Sequence, residues 1–332
     1  MGSFKKSASM LLKGYNRTAV FAITSQCNCK CYMCDMHRKE PQWISYADAE
    51  KILDFLAQNK FLVAYFTGGE PTLHPNVVDI VKYADELGLI ATMTTNGTAS
   101  KEIIRKLKKA GLYLLSVSLD HWDAEICWGI RKHRDILTKQ IETLNYLNEI
   151  GLKTYALAFL NSFLIEDGVE KLVDYANSVL KVPFGFCYPT TSAINTYQLG
   201  STLTDNDVKK ELHKSVETIL NLKKNGYEIA NLATYIEDII NLETGKPVNF
   251  SCKGGEDVIY IDWLGNVYPC FLKERLFNIL KDEDPKFERN VKCNECLINC
   301  FREPSLLPQI LSSPRLFAKE AYHSFSTRKL FM

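Results

Sequence analysis

Four cysteines fall within eight residues of the stretch "SQCNCKCYMCDM", Ser25–Met36. Cys27, Cys31 and Cys34 have the spacing Cys-x3-Cys-x2-Cys, with Cys29 between the first two. Thiolates are the preferred ligands of iron–sulfur centres, and three in one short loop can wrap a cubane cluster that wants four. One iron then stays open to another ligand. Zinc held by some of Cys27, Cys29, Cys31, Cys34 and His37 is the alternative. Zinc ribbons usually take paired Cys-x2-Cys units, however, and zinc does not explain a glycine-rich loop further along. A second set follows much later: Cys252, Cys270, Cys293, Cys296 and Cys300. Eleven cysteines, an odd count, in a 332-residue chain argue for metal rather than a disulfide framework.

The remaining composition is that of a soluble globular protein. Charged residues make up 24% and the formal net charge is +1, so no bulk attraction to nucleic acid or to a membrane surface is expected. No apolar run approaches the roughly 20 residues that span a bilayer. The first residues, "MGSFKKSASMLLKGYNR", are basic but lack a long apolar core and a cleavage site, so no secretory signal is expected and the location expected is cytoplasmic.

The elements that must hold the cysteines repeat as apolar run, polar turn, amphipathic helix, glycine. Strands are expected at Thr18–Ser25, "FLVAYFTGG", "LIATMTT", "LYLLSVSLD", "LKTYALAFL" and "VPFGFCYP". Helices are expected from Ser45 (with Asp48 three residues on, as in a capping box), from Pro75 as first helical residue to Gly88, from Ser100 to Gly111, through Leu137–Leu147 to Gly151, through Val169–Ala176, and from Leu203 by way of Thr204 and Asp207 to Gly226. Apolar strands alternating with helices predict a parallel sheet, and six units predict an α/β fold, a partial (β/α)6 TIM-type barrel. Chemistry in such folds collects where strands end. The unusual residues lie there: "SQCNCKC", "TGGEP", "TTNGT", "SLDHW" and "LNSF". After about Asn249 a β-hairpin is expected, Val258–Asp262 and Val267–Pro269, in a small cysteine-rich β-hairpin/helix extension. The expected organisation is an N-terminal extension 1–17, a barrel 18–248, a cysteine-rich extension 249–303 and a tail 304–332.

The cysteine triplet after the first strand resembles the signature of the radical S-adenosylmethionine (radical SAM) enzymes, Cys-x3-Cys-x-aromatic-Cys. The aromatic slot holds Met33, with Tyr32 one position early. Gly68-Gly69-Glu70-Pro71 resembles the family's Gly-Gly-Glu-Pro, which holds the methionine ammonium of the cofactor. Two glycines also let backbone approach a ligand closely, and a carboxylate complements an ammonium. Weaker matches end later strands: Thr94, Thr95 and Asn96, then Ser118 and Asp120, then Asn161. For Asp120 and Asn161 a turn or cap role is as good a reading. Arg131 could pair with a cofactor carboxylate, but the expected reading is a solvated surface arginine. The resemblance implies a [4Fe-4S] cluster on Cys27, Cys31 and Cys34. That cluster gives one electron to S-adenosylmethionine, and the 5′-deoxyadenosyl radical so formed abstracts hydrogen from a substrate. A one-electron reductant such as ferredoxin or flavodoxin is implied.

The second set resembles the SPASM and twitch extensions of the same superfamily, with Gly265 five residues before Cys270. The resemblance implies one auxiliary [4Fe-4S] cluster on Cys252, Cys270, Cys293 and Cys296, with Cys300 an alternative ligand and four-thiol zinc the bland reading. Cys187 and Tyr188 could face the barrel cavity and act on a substrate radical, though packed core residues are the plainer reading. Relatives act on peptides and proteins or on small molecules, and a peptide or protein substrate is the expectation, with no nucleic-acid partner. The apolar, basic segment Arg315–Met332 leaves a lipid substrate and membrane contact open. A non-catalytic zinc scaffold is the rival from another class, separable by anaerobic iron and sulfide analysis.

Overall fold

The computed structural model describes Met10 and residues 13–189, 206–281 and 284–323. Six parallel strands follow one another in the chain: β1 Arg17–Thr24, β2 Phe61–Gly68, β3 Ile90–Thr95, β4 Leu114–Ser118, β5 Ala156–Phe159 and β6 Phe184–Cys187. Sequence neighbours are sheet neighbours, in the order β6-β5-β4-β3-β2-β1. The helices that return the chain are α1 Tyr46–Gln58, α2 Val77–Leu87, α3 Lys101–Lys109, α4 Ala124–Arg131, α5 Ile136–Ile150, α6 Ser162–Asp167 and α7 Val169–Asp174. This is the α/β partial barrel that the periodicity predicts.

Thr18 to Thr24 of β1 are all buried, as a strand covered on both faces requires. In β2 and β3 burial alternates. Ala64, Phe66, Ala91 and Met93 lie under the helices, while Val63, Thr67, Ile90, Thr92 and Thr94 border the lumen cavities. On α1, Ser45 Oγ accepts from Asp48 N at 3.1 Å and donates to Asp48 Oδ2 at 2.8 Å. Ala49, Ile52, Leu53 and Leu56 then form its buried stripe.

Several boundaries differ from the sequence reading, each for a local reason. β1 stops at Thr24 because Ser25 turns to residues 40–42: its N donates to Gln42 O and its Oγ to Glu40 O. Pro75 does not open α2. His74 accepts from Asn76 N at 3.1 Å and holds a turn there, so the helix starts at Val77, and Pro71 opens a short 3-10 turn instead. Helix α4 was not anticipated. Asp123 caps it through Glu125 N and Ile126 N, a local signal hidden by the aromatic and glycine residues of "AEICWGIR".

Two further helices follow β6: α8 Asn206–Lys224 and α9 Ala233–Glu243. Thr204, read as an entry to the former, lies outside the described residues, as do residues 1–9, 11–12 and 324–332. The chain then forms β7 Val258–Ile261, β8 Asn266–Tyr268 and β9 Phe277–Asn278, and finally α10 Asn299–Ser312 and α11 Pro314–His323. The expected hairpin is β7–β8. Its first strand also pairs in parallel with β1, from Thr18↔Val258 to Phe21↔Ile261, so one nine-stranded sheet runs through barrel and extension. Helix α9 was also missed. It has no local cap: Glu303 and Glu320 accept from the backbone of Leu232, Ala233 and Thr234 at 2.7–3.0 Å. Among the described residues no helix is long and apolar enough to cross a membrane.

Candidate active site

The ends of β1 and β2 lie side by side and bring the two principal motifs together. Gly69 N donates to Thr24 O at 2.8 Å and Glu70 N to Gln26 O at 2.7 Å. A Cβ on Gly69 would stand 2.1 Å from Gln26 O, and one on Gly68 (φ +141°) 2.2 Å from Thr24 O. The glycine pair is therefore required by the start of the cysteine loop, which lies directly across it. Gly69→Ala is expected to cost about 1–3 kcal/mol as an overpacked contact and to displace Gln26 and Cys27. A thermal midpoint and iron content equal to the parent's would contradict this.

Glu70 is fully buried. Its Oε1 accepts from Thr72 N, Thr72 Oγ1 and Thr95 Oγ1, at 3.2, 2.5 and 2.8 Å, and its Oε2 from Asn96 N at 2.6 Å. Burial raises its pKa, and the four donors oppose the rise. A carboxylate offers about four acceptor directions. Oε2 uses one of its two, so the side chain ties the ends of β2 and β3 together and keeps one acceptor on a residue that borders the cavity.

Cys27, Cys29, Cys31 and Cys34 border the same cavity, with Met33, Met36, His37, Gly69, Glu70, Thr95, Asn96, Ser118 and Arg131. Cys29 is buried, its N donates to Cys27 Sγ at 3.4 Å, and its thiol lies against those of Cys27 and Cys31, which raises its own pKa. The same proximity lowers Cys27 and holds Cys31 down at about 7, where the Arg131 charge helps. Burial pushes Cys34 up to about 12. Asn96 Nδ2 lies 3.3 Å from Cys29 Sγ and 2.8 Å from Asn28 Oδ1.

Arg131 corrects the sequence reading. It is buried rather than solvated, its Nε donates to Asp120 Oδ2 at 2.5 Å and its Nη1 sits 3.9 Å from Cys31 Sγ. Asp120 is thus occupied on both oxygens, the other accepting from Phe159 N at 3.1 Å. Asn161 caps α6 by accepting from Leu164 N and donates to Asp120 O and Phe159 O. Asp120, Asn161, Tyr32, Gly68 and Pro71 are not among the cavity's lining residues. Tyr32 contributes its N–H, to Ile130 O at 3.1 Å, beside Lys30 N on Arg131 O at 2.9 Å. These two bonds tie the cysteine loop to the end of α4.

The sequence reading named Thr94 but missed Tyr65 and Ser116, with which Thr94 forms the lumen wall. Tyr65 OH, Thr94 Oγ1 and Ser116 Oγ form a chain at 2.6 and 2.5 Å. Alternate positions on the strands, the two-residue period, were the signal available. Cys187 and Cys300 lie near this wall, and burial raises both thiols. Tyr188 points away and donates to Glu243.

In the second set, Cys252 and Cys293 pair as a two-residue antiparallel bridge, N–O 2.9 and 3.3 Å. The charge of the Cys296 thiolate raises the pKa of Cys270, and Cys252 and Cys293 bear on both. Burial is the larger cause and takes the two to about 12 and about 11.

Among the described residues no three Cys, His, Asp or Glu side chains converge on one point as ligands of a single ion. A four-iron cluster gives each thiolate its own metal corner, so its ligands need only face a common cavity. Cys27, Cys31 and Cys34 do so, with Gly69 and Glu70 on the same cavity and a cation beside one thiol. These residues fit a [4Fe-4S] cluster. Near the second set, two guanidinium nitrogens of the buried Arg302 have no acceptor among the described residues, which fits an anionic centre.

Comparison with known proteins agrees. The radical SAM superfamily model matches residues 21–176. Fe-coproporphyrin III synthase of Methanosarcina barkeri is 35% identical over 40% of this chain and 33% of its own. A probable GTP 3′,8-cyclase of Thermococcus kodakarensis is 29% identical over 45% and 50%. The chain thus spans a third to a half of the length of these curated relatives. The solved structure of native anSMEcpe with bound AdoMet shares the fold over 95% of this chain and 96% of its own, at 17% identity and TM-score 0.61. The chain thus carries a radical SAM domain at residues 21–176.

Proposed function

We propose that this chain cleaves S-adenosylmethionine reductively at a [4Fe-4S] cluster on Cys27, Cys31 and Cys34 and abstracts hydrogen from a peptide or protein side chain. Cys252, Cys270, Cys293 and Cys296 hold an auxiliary [4Fe-4S] cluster. The observation that carries the first part is that one cavity at the strand ends is bordered by the four thiols of one loop, Cys27, Cys31 and Cys34 among them, together with Glu70 and Asn96. The bound cluster and cofactor supply one-electron chemistry and a carbon radical. The protein's own share is positional. Glu70 Oε2 offers its remaining acceptor to the cofactor ammonium, Ser118 offers a hydroxyl to the ribose, and Thr95 and Asn96 keep Glu70 in place. Arg131 stays on Asp120 and sets a positive charge beside Cys31. Electrons come from a ferredoxin- or flavodoxin-type donor.

The peptide reading is supported by a likeness that runs through the C-terminal extension to anSMEcpe, also solved with AdoMet and the Cp18Cys peptide. A second reading, a small-molecule substrate, is favoured by the names of the curated relatives, whose matches cover 40–45% of the chain. The test is substrate-stimulated 5′-deoxyadenosine formation in anoxic protein with dithionite. A deuterated peptide mixture, GTP and iron coproporphyrin III serve as candidates. Deuterium in 5′-deoxyadenosine from the peptides supports the first reading, and stimulation by either small molecule alone the second. Zinc in place of iron, or no 5′-deoxyadenosine under any condition, would overturn both.

A further inference from the structure

Arg302, on α10, is fully buried. Its Nη2 donates to Phe250 O at 3.0 Å and Asp238 Oδ2 at 3.3 Å, and its Cζ lies 4.8 Å from the centre of the Phe250 ring. Its Nε and Nη1 have no hydrogen-bond partner among the described residues. A buried donor left without an acceptor costs about 1–3 kcal/mol, more when charged. Asp238 answers the charge only in part. Its Oδ1 accepts from Asn249 N and Nδ2, both at 2.6 Å, and its Oδ2 also faces Phe250 N at 3.3 Å.

The guanidinium also bears on the second cysteine set: its positive charge lowers the thiols of Cys252 and Cys296, against the larger rise that burial imposes. Phe250, its carbonyl partner, lies two residues before Cys252, and Arg302 lies two residues after Cys300. Ser305, on the same helix, donates its hydroxyl to Phe301 O at 2.6 Å, accepts from Lys253 N at 2.8 Å and holds its Oγ 3.8 Å from Cys252 Sγ. Helix α10 therefore brings two side chains to the neighbourhood of this set: a hydroxyl 3.8 Å from a cysteine sulfur, and a buried cation with donors to spare. The missing partner is anionic and has sulfur acceptors. A four-iron cluster on four thiolates meets that description.

We propose that Arg302 donates hydrogen bonds to the auxiliary [4Fe-4S] centre on Cys252, Cys270, Cys293 and Cys296 and raises its reduction potential. The inference rests on the iron–sulfur reading of that set. Reduction adds negative charge to the cluster, so a nearby cation and N–H donors stabilise the reduced state more than the oxidised one. Arg302 is a positioning and tuning residue, poised to ease electron transfer into the centre. Cys27, Cys31 and Cys34 are held by other elements.

The test is an anoxic potentiometric titration followed by low-temperature paramagnetic resonance on the full chain reconstituted with iron and sulfide. The parent, Arg302→Met and Arg302→Lys are compared. All three are expected to bind about eight irons. In R302M the auxiliary midpoint is expected to shift to more negative potential while the catalytic midpoint stays, and in R302K part of the shift returns. An unchanged auxiliary midpoint, or an equal shift of both clusters, overturns the proposal. If R302M does not fold, R302K decides by the same criterion, a lower auxiliary midpoint supporting it and an unchanged one refuting it. About four irons with zinc in the parent defeats the iron–sulfur reading before any variant is made, and the proposal with it.

Discussion

Replacing Cys27 by alanine is expected to reduce 5′-deoxyadenosine formation to the no-enzyme background, with the chain still folded. Cys27 is only half-buried, so its loss costs little packing, unlike a large core truncation. Its chemistry is not replaceable in the same way, because two thiolates do not hold a cubane. Iron is expected to fall from about eight to about four per chain, the auxiliary set keeping its share. Cys29 makes this a sharp test. It faces the same cavity and its thiol lies against those of both neighbours. Cys29→Ala is expected to keep cleavage. Survival of cleavage in C27A, with loss in the C27A/C29A double variant, would transfer the ligand role to Cys29.

Asp120→Ala is expected to be the most destabilising single change near the site. It removes the carboxylate from a buried guanidinium, a type of loss that costs about 3–5 kcal/mol. Phe159 N loses its acceptor at the same stroke. The consequence reaches the cluster loop. Arg131 is the last residue of α4, and its carbonyl and that of Ile130 receive the N–H groups of Lys30 and Tyr32. Iron loading should therefore fall with the denaturation midpoint. Arg131→Met in the same chain removes the orphaned charge and is expected to recover a large part of the stability, since an apolar replacement of both partners is often neutral. If D120A and D120A/R131M unfold at the same denaturant concentration, the pair is not what holds this end of the barrel.

What the residues alone disclosed divides along a physical line. The strands and most helices of the barrel were readable because Ser45, Ser100, Gly88 and Gly151 mark ends by local backbone chemistry. The cysteine triplet and Gly68–Pro71 were readable because their types are unusual. Interactions between distant segments were not readable. Asp120 and Arg131 look like a turn residue and a surface cation until the fold seals both, and α9 is capped by glutamates some 70 to 90 residues away in sequence. The lumen hydroxyls Tyr65, Thr94 and Ser116 lie on three different strands and meet only when the sheet curves.

The parallel pairing of β7 with β1 bears on how the chain is made. During synthesis the first strand emerges early, wholly apolar from Ala19 to Ile23, and its outer hydrogen-bonding edge waits for Val258–Ile261. Until those residues leave the ribosome, that edge can recruit a foreign strand. Excising the cysteine-rich segment therefore does not yield a smaller working barrel but an adhesive one, and grafting a different segment in its place must first restore the strand that seals the seam.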